Sequence, residues 1–211
     1  MGRPTRPLLS RAVIARAALD VVDATGPDGL TMRALADRLG VKAASLYNHV
    51  SGKDDLLDDL AELVNAEIDL APLDDPDWRR GLARYAHGYR AVFLRHPNTI
   101  ALLARRRVEA DRQLRTYDAL LAALARAGLD PADAAEAAAA LDYLVLGSAL
   151  ETFTAGFTRD AADYRPRHPA LADALTASAA RGPGLDDRGF GLALRLLLNG
   201  LGRSPEGHGC P

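Results

Sequence analysis

The chain has 211 residues, 48% hydrophobic and 26% charged, so a peptide or a charge-dominated disordered tail is excluded. Aromatics are only 5% and alanine is used throughout, which favours helices and all but excludes a sandwich or barrel. The net charge of −2 is uneven: residues 1 to 53 carry eight Lys/Arg (Arg3, Arg6, Arg11, Arg16, Arg33, Arg38, Lys42, Lys53) against four Asp (Asp20, Asp23, Asp28, Asp37), a net of +4 that leaves −6 elsewhere. A basic front on an acidic body suits a chain whose one end meets a polyanion. The single cysteine, Cys210, excludes an intrachain disulfide. Neither a signal-type stretch after Met1 to Ser10 nor a membrane-length apolar run of about 18 residues is found, so a cytoplasmic protein with no membrane partner is expected.

In chain order, Ser10 can cap a first helix to about Thr25, with Ala12, Val13, Ala17, Leu19 and Val21 near its inner side, stopped by Gly26 to Gly29. Thr31 caps a second, Met32 to Leu39, which Gly40 ends. A third, Lys42 to Val50, has Leu46 and Val50 as its apolar pair and leaves Ser45, Tyr47, Asn48 and His49 on other faces. Ser51 and Gly52 break it, and Lys53 starts a longer helix to about Asp69. Ala71 to Asp77, with Pro72 and Pro76, reads as a linker. Further helices are expected at Trp78 to Arg95, Thr99 to Arg107, Glu109 to Ala127 and Ala132 to Phe157. After a loose stretch, Thr158 to Pro169, come Ala170 to Ala180 and Asp186 to Leu201.

Two short helices joined at Leu39-Gly40-Val41, with Ala36 where they must touch, describe a helix-turn-helix, whose second helix enters a DNA major groove. The same spacing also fits an ordinary corner of a helical bundle.

The run Gly29-Leu30-Thr31-Met32-Arg33-Ala34-Leu35-Ala36, then Gly40-Val41, Leu46-Tyr47-Asn48-His49-Val50, Lys53 and Leu56-Leu57, resembles the DNA-binding domain of the tetracycline repressor (TetR) family. More loosely, Trp78, Leu82, His96, Gly128-Leu129, Gly147 and Leu150-Glu151 resemble the core domain of its tetracycline-type branch. The resemblance implies an all-α protein: an N-terminal three-helix helix-turn-helix DNA-binding domain over 1–57, a larger helical effector-binding and dimerisation domain over 58–202, and a disordered tail over 203–211. Its expected partners are a palindromic double-stranded operator, a second copy of the chain and a small-molecule effector that releases the DNA.

By the same resemblance Arg33, Lys42, Ala43, Ala44, Ser45, Tyr47, His49 and Lys53 meet DNA. Arg33 suits a bidentate bond to guanine and the two lysines suit phosphates, to which the amides opening the fourth helix add a dipole. Ser45, Tyr47 and His49 offer polar groups, Tyr47 also suiting partial packing on the first helix. Ala43 and Ala44 depart from the family pattern; methyl groups read only a thymine methyl, so the operator differs.

The expected effector pocket comprises Asp69, Tyr85, His87, Tyr89, Leu103, Arg106 and Leu120, with Tyr85 and Tyr89 equally suited to plain core. Where the tetracycline-type branch supplies metal-binding and drug-holding groups stand Leu103, Leu120 and Asp69, so a magnesium–tetracycline ligand is not expected. Arg105 to Arg107 suit either an anionic effector or solvent. Dimer contacts are expected from Ala135, Ala139, Leu146, Leu150, Leu194, Leu197, Leu198 and Leu201, residues that equally suit the chain's own core. The five histidines lack metal-ligand spacing and no phosphate loop or nucleophile elbow occurs, so neither a metal, a cofactor nor an enzyme is expected. The other regulator class is a DNA-binding protein without a small ligand, controlled by a protein partner or by abundance.

Overall fold

Side-chain caps set where the first two helices begin. A computed structural model describes residues 9–103, 111–150, 155–182 and 184–201. Helix α1, Arg11–Thr25, starts where the Val13 N–H donates to Ser10 Oγ at 3.3 Å. Helix α2, Met32–Leu39, starts where the Ala34 N–H donates to Thr31 Oγ1 at 3.0 Å. Gly40 ends α2 with φ 64°, a left-handed turn that glycine adopts without Cβ strain.

The third helix is shorter than expected: α3 spans Ala43–Leu46, not Lys42 to Val50. Beyond it the chain turns, the His49 and Val50 N–H groups both donating to the Leu46 carbonyl, at 2.9 and 3.0 Å. Leu46 and Val50 are both buried, so a turn satisfies their four-residue spacing as well as a helix does. Helix α4, Lys53–Asn65, likewise stops four residues before Asp69; a turn through Glu67 brings Ile68 into the core.

The expected linker at Ala71 to Asp77 is instead docked. A 3₁₀ turn, Ala71–Asp74, buries Pro72 and Leu73 against α5, Trp78–Arg95. A Cβ at Gly81 would lie 2.5 Å from the Pro72 carbonyl oxygen, so this close approach requires glycine. Arg126 adds a 2.7 Å bond to the Leu73 carbonyl. Proline and aspartate made the segment look like a hinge, but one apolar anchor and a crossing backbone decide otherwise.

The remaining helices are α6 (Pro97–Leu103), α7 (Asp111–Arg126), α8 (Pro131–Ala149), α9 (Ala161–Tyr164), α10 (Pro169–Ala180) and α11 (Leu185–Leu201). Asp77 caps α5 and Asp130 caps α8, each accepting two backbone N–H groups. Helix α8 is described only to Ala149; its expected continuation falls partly on 151–154, outside the described residues, as does the tail over 203–211. Among the described residues there is no strand.

One continuous hydrophobic core runs from Ile14 in α1 to Leu198 in α11. Helices α1, α2, α3 and α4 form the front, with α4 also packed on α6 and α7; α5, α7, α8 and α11 form the larger bundle. Helix α10 packs mainly on α9, and only Ala172 among its residues is buried. The arrangement is all-helical, a helix-turn-helix front carried on a larger helical body.

Candidate functional site

Leu35, Ala36, Leu46 and Val50 are buried and anchor the helix-turn-helix, with Met32, Leu39 and Ala43 packed partly against the same core, which leaves the polar side chains of α2 and α3 on the outer side. Arg33, Lys42, Ala44 and Lys53 are exposed, Tyr47 is 54% exposed, and Ala43, Ser45 and His49 are half-buried. None of the eight sequence-expected residues is fully buried, and Tyr47 is directed largely outward.

Ion pairing then sorts the cations. Arg38 pairs with Asp20 at 2.8 Å, Arg16 with Glu67 at 3.6 Å, and Arg11 with both Asp55 and Asp59. Among the described residues Arg33, Lys42 and Lys53 have no acidic partner, so these exposed cations of the front unit keep their charge unneutralised. At the start of α4 the sequence reading needs adjusting: Asp54 and Asp55 occupy the first turn, and Asp55 Oδ2 accepts the Ser51 N–H at 2.8 Å. Anion attraction by those amides is offset by this carboxylate, leaving Lys53 as the phosphate-suited group there.

In the core, Tyr85, Tyr89 and Leu120 are buried together between α5, α7 and α8, the two rings 5.8 Å apart. Two polar residues that sequence reasoning missed complete this cluster. Tyr117 donates its hydroxyl to Asp142 at 2.5 Å, and Tyr89 also hydrogen-bonds that carboxylate. Burial raises the Asp142 carboxyl above its ordinary range, against the opposing effect of the two phenols, and pushes all three tyrosines upward. The available signal was Asp142 as the one charge in the otherwise uncharged run from Ala137 to Leu150.

Two of the other expected pocket residues, Asp69 and His87, do not join them. Asp69 is exposed and accepts the Ala71 N–H at 3.0 Å in a local turn. His87 lies on the opposite side of α5, edge-on to Phe190 at 5.1 Å, because the odd position between Tyr85 and Tyr89 rotates away from their face. Leu103 is half-buried at the end of α6, and Arg106, with Arg105 and Arg107, lies outside the described residues.

The α8–α11 face also needs revision. Leu194 and Leu198 are buried within the chain, Leu146, Leu197, Leu201 and Ala139 are half-buried, and Ala135 and Leu150 are exposed. Tyr143, Leu192 and Leu196 instead point outward at 76%, 51% and 63% exposure. The leucine-rich α11 has apolar residues around most of its circumference, so composition could not tell which side faced the chain's own α8. Buried Arg90 fixes that choice, reaching Ser148 Oγ at 3.1 Å and Asp187 at 2.6 Å and thereby joining α5, α8 and α11.

Several bonds tie the front unit to the body, among them two through backbone groups. Asn98 Nδ2 donates to the Val22 carbonyl at 3.1 Å, and the Arg112 N–H donates to Glu62 at 3.0 Å. These bonds join α6 to α1 and the start of α7 to α4. Among the described residues no group of His, Cys, Asp and Glu could hold a metal ion, and no helix is long and apolar enough to cross a membrane.

Residues 14–60 match the family described as bacterial regulatory proteins, tetR family, and residues 71–204 match the tetracyclin repressor-like C-terminal domain. The chain is 36% identical over 196 residues to the tetracycline repressor protein class A from transposon 1721 of Escherichia coli, covering 90% of this chain and 89% of that protein. An HTH-type transcriptional regulator of Saccharopolyspora erythraea is 40% identical over 144 residues, 68% of this chain and 61% of the relative. Among solved structures, ActR of Streptomyces coelicolor in complex with actinorhodin superposes with a TM-score of 0.77 at 26% identity, over 92% of this chain and 96% of that one. An exposed helix-turn-helix, a helical body, two family matches and a relative similar along nearly its whole length converge: the chain belongs to the tetracycline repressor family of bacterial regulatory proteins.

Proposed function

We propose that this protein is a homodimeric transcriptional repressor that holds a palindromic operator in the cytoplasm and lets it go when a small organic effector binds in its body. Residues 1–57 are the DNA-binding unit and 58–202 the effector and dimerisation unit. The observation that carries the reading is that Arg33, Lys42 and Lys53 have no acidic partner among the described residues while Tyr47 faces outward on the same helix-turn-helix unit. Arg33 reads a base edge, Lys42 and Lys53 bind phosphates, and Ala43, Ala44, Ser45, Tyr47 and His49 line the contact.

One front unit covers few base pairs, so a second copy supplies the other half-site, about one helical turn away. The exposed Tyr143, Leu150, Leu192 and Leu196, flanked by the half-buried Leu146, Leu197 and Leu201, supply the self-complementary apolar face. The relative ActR, with actinorhodin bound, supports an organic effector for this chain. Its polar end meets the Asp142–Tyr117–Tyr89 cluster, while the Asn98 and Arg112 ties carry the resulting shift to α1 and α4. A magnesium–tetracycline effector is disfavoured, since Leu103 and Leu120 offer no ligand atoms.

One observation favours a regulator without a small ligand: Tyr85, Tyr89 and Leu120 already fill their part of the core. Selection of bound duplexes from a random pool, with the pure protein, tests the main reading; a recovered palindrome is expected, and no enrichment overturns it. Screening compounds for release of that palindrome then separates the two modes of control.

A further inference from the structure

We propose that Arg11 is the positioning residue of the DNA-reading unit, clamping the segment between α3 and α4 without itself touching DNA. This rests on the reading of the front unit as DNA-binding. A guanidinium has five N–H donors in a planar fork. In Arg11, Nε donates to Asp59 Oδ1 at 3.2 Å, and one terminal nitrogen donates to the His49 carbonyl at 3.3 Å and to Asp55 Oδ2 at 3.2 Å. The other terminal nitrogen bonds Asp55 Oδ1 and, at 2.8 Å, Asp59 Oδ1. All five donors are spent, and two carboxylates neutralise the charge. An arginine on the basic front is thereby left with nothing to offer a phosphate.

Its partners bracket one short stretch of backbone. Arg11 holds the His49 carbonyl, while Asp55, held by Arg11, accepts the Ser51 N–H at 2.8 Å and the Ser51 hydroxyl at 3.2 Å. The chain between them carries buried Val50, and the clamp therefore fixes residues 49 to 51 from both sides. His49 opens this stretch, and Tyr47 and Lys53 flank it on either side. Their spacing relative to one another is set through α1, at a separation of 38 to 48 residues in sequence. Asp59 Oδ2 is buried with no hydrogen-bond partner among the described residues, and Arg11 pairs with the other oxygen of that carboxylate. Lysine, with a compact ammonium in place of the fork, can pair one or both acids but cannot reach the His49 carbonyl at the same time.

The test measures wild type, Arg11→Lys, Arg11→Ala and Asp55→Asn against two probes, at a temperature where circular dichroism shows each variant folded. The probes are the palindromic duplex selected by wild type and a random-sequence duplex of equal length. A clamp predicts that Arg11→Lys and Arg11→Ala lose about tenfold or more in affinity for the palindrome, with Asp55→Asn showing a smaller loss in the same direction. Binding to random sequence, and the slope of log affinity against log salt, stay within error of wild type. Loss on both probes with the salt slope lowered by about one makes Arg11 a phosphate contact and overturns the proposal. A lowered melting temperature with unchanged palindrome affinity reduces it to a structural ion pair and also overturns it. Should Arg11→Ala fail to fold, Arg11→Lys and Asp55→Asn decide on the same criteria. A wild type that selects no sequence overturns the DNA-binding reading and this proposal with it, an outcome distinct from failure of the variants alone.

Discussion

The imidazole Nδ1 of His96 lies 2.7 Å from the Asp23 carboxylate, which fastens the junction of α5 and α6 to the last turn of α1. Its Nε2 faces Glu67 at 3.5 Å, a carboxylate held below its ordinary range chiefly by a hydrogen bond from Arg95. The His96 side chain is only 13% exposed, so this tie contributes more than a surface pair. His96→Ala is expected to cost about 1 kcal/mol, or about 2–4 °C in melting temperature for a chain of this size. Calorimetry checks it, and an unchanged transition removes His96 from the contacts that hold the front unit on the body.

On the DNA face, Arg33→Ala is expected to cost about 1–3 kcal/mol of operator affinity and to relax the preference at one base pair. Lys42→Ala and Lys53→Ala are expected to weaken all duplexes alike and each to lower the salt slope by about one. Arg38→Ala removes a cation already paired with Asp20 and is expected to leave both quantities unchanged. Titrations at several salt concentrations distinguish these outcomes, and equal effects from Arg33 and Arg38 would count against the sorting of cations by ion pairing.

Leu196→Glu combined with Tyr143→Glu places charge on exposed apolar residues, and sedimentation is expected to show a monomer that stays folded. Leu194→Ala acts on the opposite side of α11, in the chain's own core, and is expected to cost about 2–5 kcal/mol in stability. A reversal, with Leu194→Ala giving stable monomers, would assign the interface to the wrong side of the helix.

Asp142 supplies a pH dependence with a definite sign. Its carboxyl is raised in the folded state by burial, so the fold favours the protonated form. The penalty is absent below the ordinary carboxylate range and grows as pH rises through the folded value. Asp142→Asn keeps an oxygen for the Tyr117 hydroxyl and removes the charge. Its melting temperature relative to wild type should therefore improve as pH rises above the ordinary carboxylate range. A difference that does not change with pH sinks this assignment of the buried charge.

The helix-turn-helix was legible from residues a few positions apart. Ser10 and Thr31 as caps, Gly40 as the left-handed stop, and Leu35, Ala36, Leu46 and Val50 as anchors all act within one or two helical turns. The same local rules could not distinguish a helix from a turn after Leu46, since both place Leu46 and Val50 inside. They also made a hinge of Ala71 to Asp77, because the contacts that dock it come from Gly81 and Arg126, outside the segment.

By itself, then, the order of residues determined an all-helical chain, the ends of its first two helices and the surface that carries Arg33, Lys42, Tyr47 and Lys53. Only the tertiary structure decided which cations remain unpaired, that Tyr117 and Asp142 meet, that Arg11 spans Asp55 and the His49 carbonyl, and that Leu194 turns inward while Leu196 turns outward. The reason is distance along the chain: caps and turns are made by neighbours, whereas these partners lie 18 or more residues apart or on opposite faces of one apolar helix. No local pattern records which of several equivalent side chains the folded backbone will bring together.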